Sequence, residues 1–344
     1  MFKRKFLAAI LKKNNTKLSL NKIVCLDKLS KGQVLVKLKY SGICGKQIDE
    51  IKGIGGKDIY LPHLLGHEGS GIVKDIGPKV SKVKKNDKVI LHWIKSSGIE
   101  SSTPKYTLKD KIINAGWVTT FNEYAIVSEN RITKIPKGYP LKKASLFGCC
   151  ATTSLSLVYN QLKLKTKDNL LIVGIGGLGQ IILQAAKNFN IKNIIAADVS
   201  EVALKKAKEF GANITINLNK KKQIKYLDGI KINKSVVTTG NIKAIETSMK
   251  LLSYPGICYL MGVPPKKSKI KINAWNLMHD QTLKGSLGGN ARPQIDIPKF
   301  INLDKRKIIK INKIIHKTIN FKDINKGISM FQSKKNTGRI LIKF

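Results

Sequence analysis

Residues 169–189, NLLIVGIGGLGQIILQAAKNF, decide the fold. LLIV (170–173) is a short, wholly apolar strand, GIGGLG (174–179) a glycine turn and QIILQAA (180–186) an apolar helix. A GxGxxG pattern carries meaning in that order, where it closes a strand and opens a helix. The first glycine makes the tight turn, the second lets main chain approach a pyrophosphate, and the last lets the helix pack closely on the strand. The helix N-terminus then faces the phosphates. Gly174, Gly176, Gly177, Leu178 and Gly179 are therefore candidate cofactor-binding residues. Asp198 lies 24 residues after Gly174, at the end of the strand NIIAAD. A carboxylate there can accept from the adenosine ribose 2′-hydroxyl and repels a 2′-phosphate, which favours NAD over NADP. Lys205 and Lys206, just beyond, work against that preference.

Around this unit, strands alternate with helices from about residue 141: SLFGCCATTSLSLVYNQL and EVALKKAKEFGA read as helices, IKNIIAADVS and GICYLMGVPP as strands. That alternation implies a parallel sheet with helices on both faces. The half before it is all-β in character. FLAAI, LSLNKIV, QVLVKLKYSG, EGSGIVKDIG and DKVILHW read as short strands with turns between, as in a small barrel-like domain. Residues 95–118 are polar and irregular and read as a long surface loop. The end of the chain reads as a helix at PKFINL, a lysine-rich helix over 305–316, a helix over 321–331 and a strand at RILIKF. The run KKK at 220–222 reads as a solvated loop.

The 344 residues correspond to roughly two domains at ~150 residues each. Lys and Arg number 64 against 21 acidic residues, a net charge of +43. Such a balance attracts polyanions. Yet only Arg4, Arg131, Arg292, Arg306 and Arg339 are arginines, and nucleic-acid readers lean on Arg, whose planar fork grips phosphate and guanine. With Ile and Asn also abundant, the lysine excess reads as A/T-rich coding, spread over solvated faces. A basic nucleic-acid-binding protein that reuses the fold stays as the alternative from another class. Five widely spaced cysteines form no disulfide framework, which points to a reducing cytoplasm. No run approaches the ~20 apolar residues that a membrane crossing requires.

Cys44, His67 and Cys149 are scattered, and their spacing alone says nothing of a metal. The segments around them say more. SGICGKQIDEIKG, LLGHEGSGIV, NDKVI, FGCCATTS, VGIGGLG, LKGSLGG and the terminal TGRILIKF, in this order, resemble the zinc-containing alcohol dehydrogenases of the medium-chain dehydrogenase/reductase superfamily. The resemblance spans essentially the whole chain. It implies that Cys44, His67 and Cys149 hold one catalytic zinc, with Glu68 as a neighbouring carboxylate and Arg339 near the cofactor pyrophosphate. Cys150 abuts Cys149 where the family has Gly; the GC pattern favours Cys149 as the ligand. It departs from the family at Lys46, where a Ser or Thr commonly relays the proton, and at Gln47, where Asp is often found. A charged Lys accepts no proton. Either Lys46 takes a catalytic role at low pKa, or water relays, or Lys46 holds an anionic substrate group, or it simply faces solvent or pairs with Asp49 or Glu50. The cysteine-bearing lobe that holds a structural zinc in many relatives has no counterpart in the cysteine-free 95–118. His92 and Trp93 are substrate-pocket candidates.

The expectation is thus an α/β chain: a GroES-like β-rich catalytic domain (1–148 and 289–344) plus a doubly wound parallel-sheet Rossmann domain (149–288), with the active site in the cleft between them. The expected reaction transfers a hydride between an alcohol and NAD, with an aldehyde or ketone as product. A zinc-dependent polyol or sugar dehydrogenase is the nearest alternative. A homodimer or homotetramer in the cytoplasm, with a small-molecule alcohol or aldehyde as partner, completes it.

Overall fold

The computed structural model describes residues 4–25, 28–333 and 337–344. Two compact units emerge. The first holds the chain through Thr152, then Arg292–Asn302 and Ile315–Phe344; the second holds Thr153–Ala291 and Leu303–Ile314. Leu303–Ile314 is seated on the second unit by the Lys310 N–H, which donates to Gln184 Oε1 at 2.8 Å.

In the first unit, strands Lys5–Leu11, Ser19–Cys25, Lys105–Leu108, Lys111–Asn114 and His63–Leu64 close into a barrel. Alternation drives it. Phe6, Ala8, Ile10, Ile23, Tyr106 and Ile113 point inward as one cluster, and Phe6 meets Tyr106 edge-on at 5.7 Å. The expected surface loop at 95–118 is therefore corrected: its second half is a hairpin, with Tyr106 opposite Ile113. Polar residues on the outer face of each strand hide the inward period of two, and the Tyr106 hydroxyl is satisfied by accepting from the Ile126 N–H at 3.1 Å. A sheet of seven strands completes the unit, with Glu68–Ile76 and Arg339–Lys343 on either side of Gln33–Ile43, and Lys88–His92 beyond Glu68–Ile76.

Two further readings are corrected. Gly45–Lys52 is a helix inside a stretch read as strands and turns, stopped by Gly53 at φ 66°. The lysine-rich 305–316 is not a helix: the helix Pro293–Lys305 ends there and a strand, Ile315–Asn320, follows beside Arg339–Lys343. Buried Ile309, Ile311 and Ile314 fix that path, and the lysines between them need only solvent. Lys221 and Lys222, read as loop, open a short helix, Lys221–Lys225.

The second unit is a six-stranded parallel sheet. Its order is Ile214–Asn217, Asn193–Asp198, Asn169–Val173, Ile232–Val237, Leu252–Leu260, Gln281–Gly285. Every residue of Asn169–Val173 is buried, as a strand covered on both faces demands. The chain leaves this strand to one side and later returns to the other, so the glycine turn sits at the point where strand order reverses, the usual ligand position in such sheets. Among the described residues no helix is long and apolar enough to cross a membrane.

Candidate metal centre and cofactor turn

The metal-capable residues are all in the first unit. Cys44 ends one strand and precedes the helix Gly45–Lys52; His67 and Glu68 open the strand Glu68–Ile76; Cys149 lies between two short helical turns. The ligand atoms of Cys44, His67 and Cys149 lie within 4.8 Å of one another. A tetrahedral zinc with bonds of ~2.0–2.3 Å needs its ligand atoms roughly 3.5–4 Å apart. His67 Nε2 is buried and has no hydrogen-bond partner. An orphaned imidazole nitrogen beside two sulfurs is the donor set of a zinc site, and the residues fit that ion. Cys150 is not part of the trio: it is fully buried, its N–H donates to Glu68 Oε2 at 2.9 Å, and burial pushes its thiol up to about 12.

The sulfurs are electrostatically linked. The Cys149 thiol hydrogen-bonded to Cys44 holds Cys44 well below the ordinary thiol range against the opposing effect of burial, with the Arg339 and His67 charges helping. The same bond, together with burial, drives Cys149 up. Burial alone would lower His67, but the Cys44 sulfur and the nearby Glu68 and Glu50 carboxylates raise it.

Glu68 is fully buried, and burial raises its pKa against the pull of Arg339. Arg339, expected near a pyrophosphate, has its described partners in this unit: Nη1 donates to Ile43 O at 3.0 Å and Nε stands 3.6 Å from Glu68 Oε1. Gly42 makes the space, since a Cβ there would stand 1.9 Å from Glu68 Oε1. Lys46, expected as catalytic, is exposed, and its charge falls on Asp49 and Glu50. It is not one of the metal-capable trio.

Three residues were not anticipated. Gln47 is buried, accepts from the Cys44 N–H at 3.0 Å through Oε1 and donates to His67 Nδ1 at 2.5 Å through Nε2. The readable signal was its place three residues after Cys44, the capping-box spacing. Gly42 carried no signal in sequence, and Thr238 only the turn-like TTG. His92, a pocket candidate, is corrected to a structural residue: it is fully buried with both ring nitrogens occupied, by Ile94 O at 2.7 Å and Thr133 Oγ1 at 3.0 Å, and burial lowers it to about 4. Trp93 is half-buried with an indole N–H that has no partner.

In the second unit, Gly174 sits at φ 94°, and a Cβ there would stand 2.5 Å from Thr238 Oγ1, which donates to Gly174 O at 2.8 Å. Gly176, Gly177 and Leu178 lead into the helix Gly177–Ala186, and Gly179 packs so closely that a Cβ would stand 2.2 Å from Gly174 O. Asp198 reaches this turn: Oδ2 accepts from the Ile175 N–H at 2.6 Å and Oδ1 from the Ser200 N–H at 2.9 Å. A helix N-terminus behind a glycine turn, with a carboxylate at the end of the next strand, fits a dinucleotide.

Comparison with known proteins gives the same two parts in the same order. Residues 30–137 match the alcohol dehydrogenase GroES-like domain and residues 177–305 the zinc-binding dehydrogenase family. Among solved structures, the fold is similar to benzyl alcohol dehydrogenase from Acinetobacter calcoaceticus (23% identity, 99% of each chain covered, TM-score 0.89). It is also similar to an alcohol dehydrogenase zinc-binding domain protein from Burkholderia ambifaria (21%, 100% of each chain, 0.91). An alcohol dehydrogenase from E. coli CFT073, complexed with NADH, matches as well (23%, 99% of each chain, 0.82). With both domain families on one chain, this protein belongs to the zinc-containing alcohol dehydrogenases of the medium-chain dehydrogenase/reductase superfamily, and is a zinc-dependent, NAD(P)-linked dehydrogenase.

Proposed function

We propose that this chain interconverts an alcohol and its aldehyde or ketone with NAD, using one zinc ion on Cys44, His67 and Cys149. The observation that carries the assignment is the buried, unpartnered Nε2 of half-buried His67 beside the two sulfurs. Bound there, zinc would supply a Lewis acid that lowers the pKa of the alcohol, and NAD the hydride acceptor. The two cysteine sulfurs and the imidazole would hold the ion, and the sulfurs as thiolates would offset its charge. Glu68 stands as a nearby carboxylate, held by the Cys150 N–H and the Arg339 charge. Lys46 is exposed and is a rim group that can meet an anionic substrate, and water carries the alcohol's proton outward. Trp93, just past the strand that pairs with Glu68, lines the substrate pocket.

Gly174, Gly176, Gly177, Leu178 and Gly179 hold the pyrophosphate, and Asp198 favours NAD by repelling a 2′-phosphate. We further propose a homodimer or homotetramer, and a cytoplasmic location that the wide spacing of the cysteines supports. The test is zinc analysis of the purified protein with an NAD and NADP reduction screen over straight-chain alcohols and polyols. About one zinc per chain, activity with NAD on simple alcohols, and a loss of roughly a thousandfold or more in Cys44→Ser are expected. Full activity in Cys44→Ser, or a preparation without zinc, overturns the ligand assignment. Preference for polyols moves the substrate class.

A further inference from the structure

The side chain of Gln47 has two neighbours and one oxygen. A main-chain N–H can only donate, so the end of the amide that meets Cys44 N at 3.0 Å is Oε1. The NH2 end is thereby turned to His67 Nδ1, 2.5 Å away. A nitrogen that receives that donor carries a lone pair, so the neutral ring keeps its proton on Nε2. Nε2 is also the ring atom left to the two sulfurs, with no nitrogen or oxygen partner. This arrangement suits a ring that carries its proton on Nε2. A ligand nitrogen must offer its lone pair to the ion, which sends the ring proton to Nδ1, and ligating histidines almost always hand that second N–H to an acceptor. A carboxylate at position 47 could accept from the Cys44 N–H and from the Nδ1–H together. An amide has one acceptor atom, and here it faces the Cys44 N–H.

Resting on the zinc assignment above, we infer that Gln47 is a positioning residue. Its one amide oxygen passes from the Cys44 N–H to the Nδ1–H of His67 when zinc enters, so zinc is held more loosely than a carboxylate at this position would hold it. The amide turns over about its last torsion, and no bond is made or broken. The turn leaves the part-buried Cys44 N–H facing the amide NH2, and that unmade hydrogen bond weakens the zinc-loaded state. Zinc uptake and the entry of Cys44 into its helix are thereby coupled through one side chain.

The variants that isolate this are Gln47→Glu, which keeps the length and supplies two acceptors, and Gln47→Asp, which supplies them on a shorter arm. Zinc affinity is read by competition with a chromophoric chelator at one fixed pH, with circular dichroism confirming the fold. At least one variant is expected to bind zinc about tenfold or more tightly than wild type, the size of effect that partners of a ligating histidine exert. In wild type labelled with 15N, the Gln47 side-chain amide resonances are expected to shift on zinc loading, and the His67 Nδ1–H to appear. Wild type that loads zinc while neither variant binds it more tightly overturns the inference. So does a Gln47 amide whose resonances are unmoved by zinc, a reading that needs no variant to fold. Wild type that takes up no zinc overturns the ligand assignment itself and the inference with it.

Discussion

A carboxylate with no exposed surface stands one residue from the metal-capable His67, and its surroundings explain how it is tolerated. Glu68 accepts one main-chain N–H, from Cys150, and faces one cation, Arg339, itself nearly buried. A buried charge is costly unless paired, and removing one partner leaves the other uncompensated. Arg339→Met is therefore expected to destabilise the protein by about 3–5 kcal/mol. In urea unfolding, Glu68→Gln added to Arg339→Met should recover a large part of that loss. Additive effects in the double variant would show that the two do not act as a pair. The same pairing explains Gly42, since any side chain there would displace the Glu68 carboxylate. None of this was readable in sequence: Gly42, Glu68 and Arg339 are far apart along the chain, and only the strand pairing of Ile340 with Ile43 brings Arg339 to the site.

At the scale of elements, the stretch 95–118 shows what holds a lobe that has no cysteines. Glu129, nearly fully buried, ties three segments: its carboxylate accepts from the Ser81 N–H at 3.0 Å and the Ile99 N–H at 2.9 Å, and it opens the turn Glu129–Arg131. Arg131 then donates to Trp93 O and pairs with Glu100 at 2.6 Å, and Glu100 also meets Lys95 at 2.6 Å. Carboxylates that accept main-chain N–H groups make strong, charge-assisted bonds. Glu129→Ala is expected to cost about 1–3 kcal/mol through the loss of two charge-assisted, part-buried main-chain hydrogen bonds. Limited proteolysis should then cut first between residues 95 and 104; cleavage elsewhere first would deny the lobe this anchor. The reading of the lobe as a plain loop missed the hairpin because its strands are four residues each, too short for alternation to rise above a polar composition. The helix Gly45–Lys52 was missed for a related reason: eight residues with lysine, glutamine and acids show few apolar positions to set a period.

Across the molecule, charge is the dominant unusual term. If all 21 acids were paired, 43 cations would still face solvent or one another. Surface ion pairs such as Lys326–Asp323 are solvent-screened and contribute little, so they do not offset the repulsion. Self-repulsion at this net charge lowers the stability of the compact state, and salt screens it, with a Debye length of ~30 Å at 0.01 M and ~8 Å at 0.15 M. The melting temperature is therefore expected to rise by several degrees between about 10 and 200 mM NaCl. A scan in which it falls steadily would show that attractive pairs outweigh the excess. The same excess draws the eye to polyanions in the sequence, yet the chain folds into the two domains of a dehydrogenase, each with its apolar core intact. Charge informs on solubility and association and says little about fold.

By itself, the sequence determined the parallel-sheet unit, because a wholly apolar strand, a glycine turn and an apolar helix are local signals that survive any context. It also determined the β character of the other half and, through the resemblance of segments in order, the family. The tertiary structure alone decided how the metal-capable residues meet. Cys44, His67 and Cys149 come from three distant segments, and their proximity depends on strand pairing between Ser41 and Gly69 and between Glu68 and His92. No periodicity encodes such a meeting, and none encodes the buried amide of Gln47 that joins two of the three.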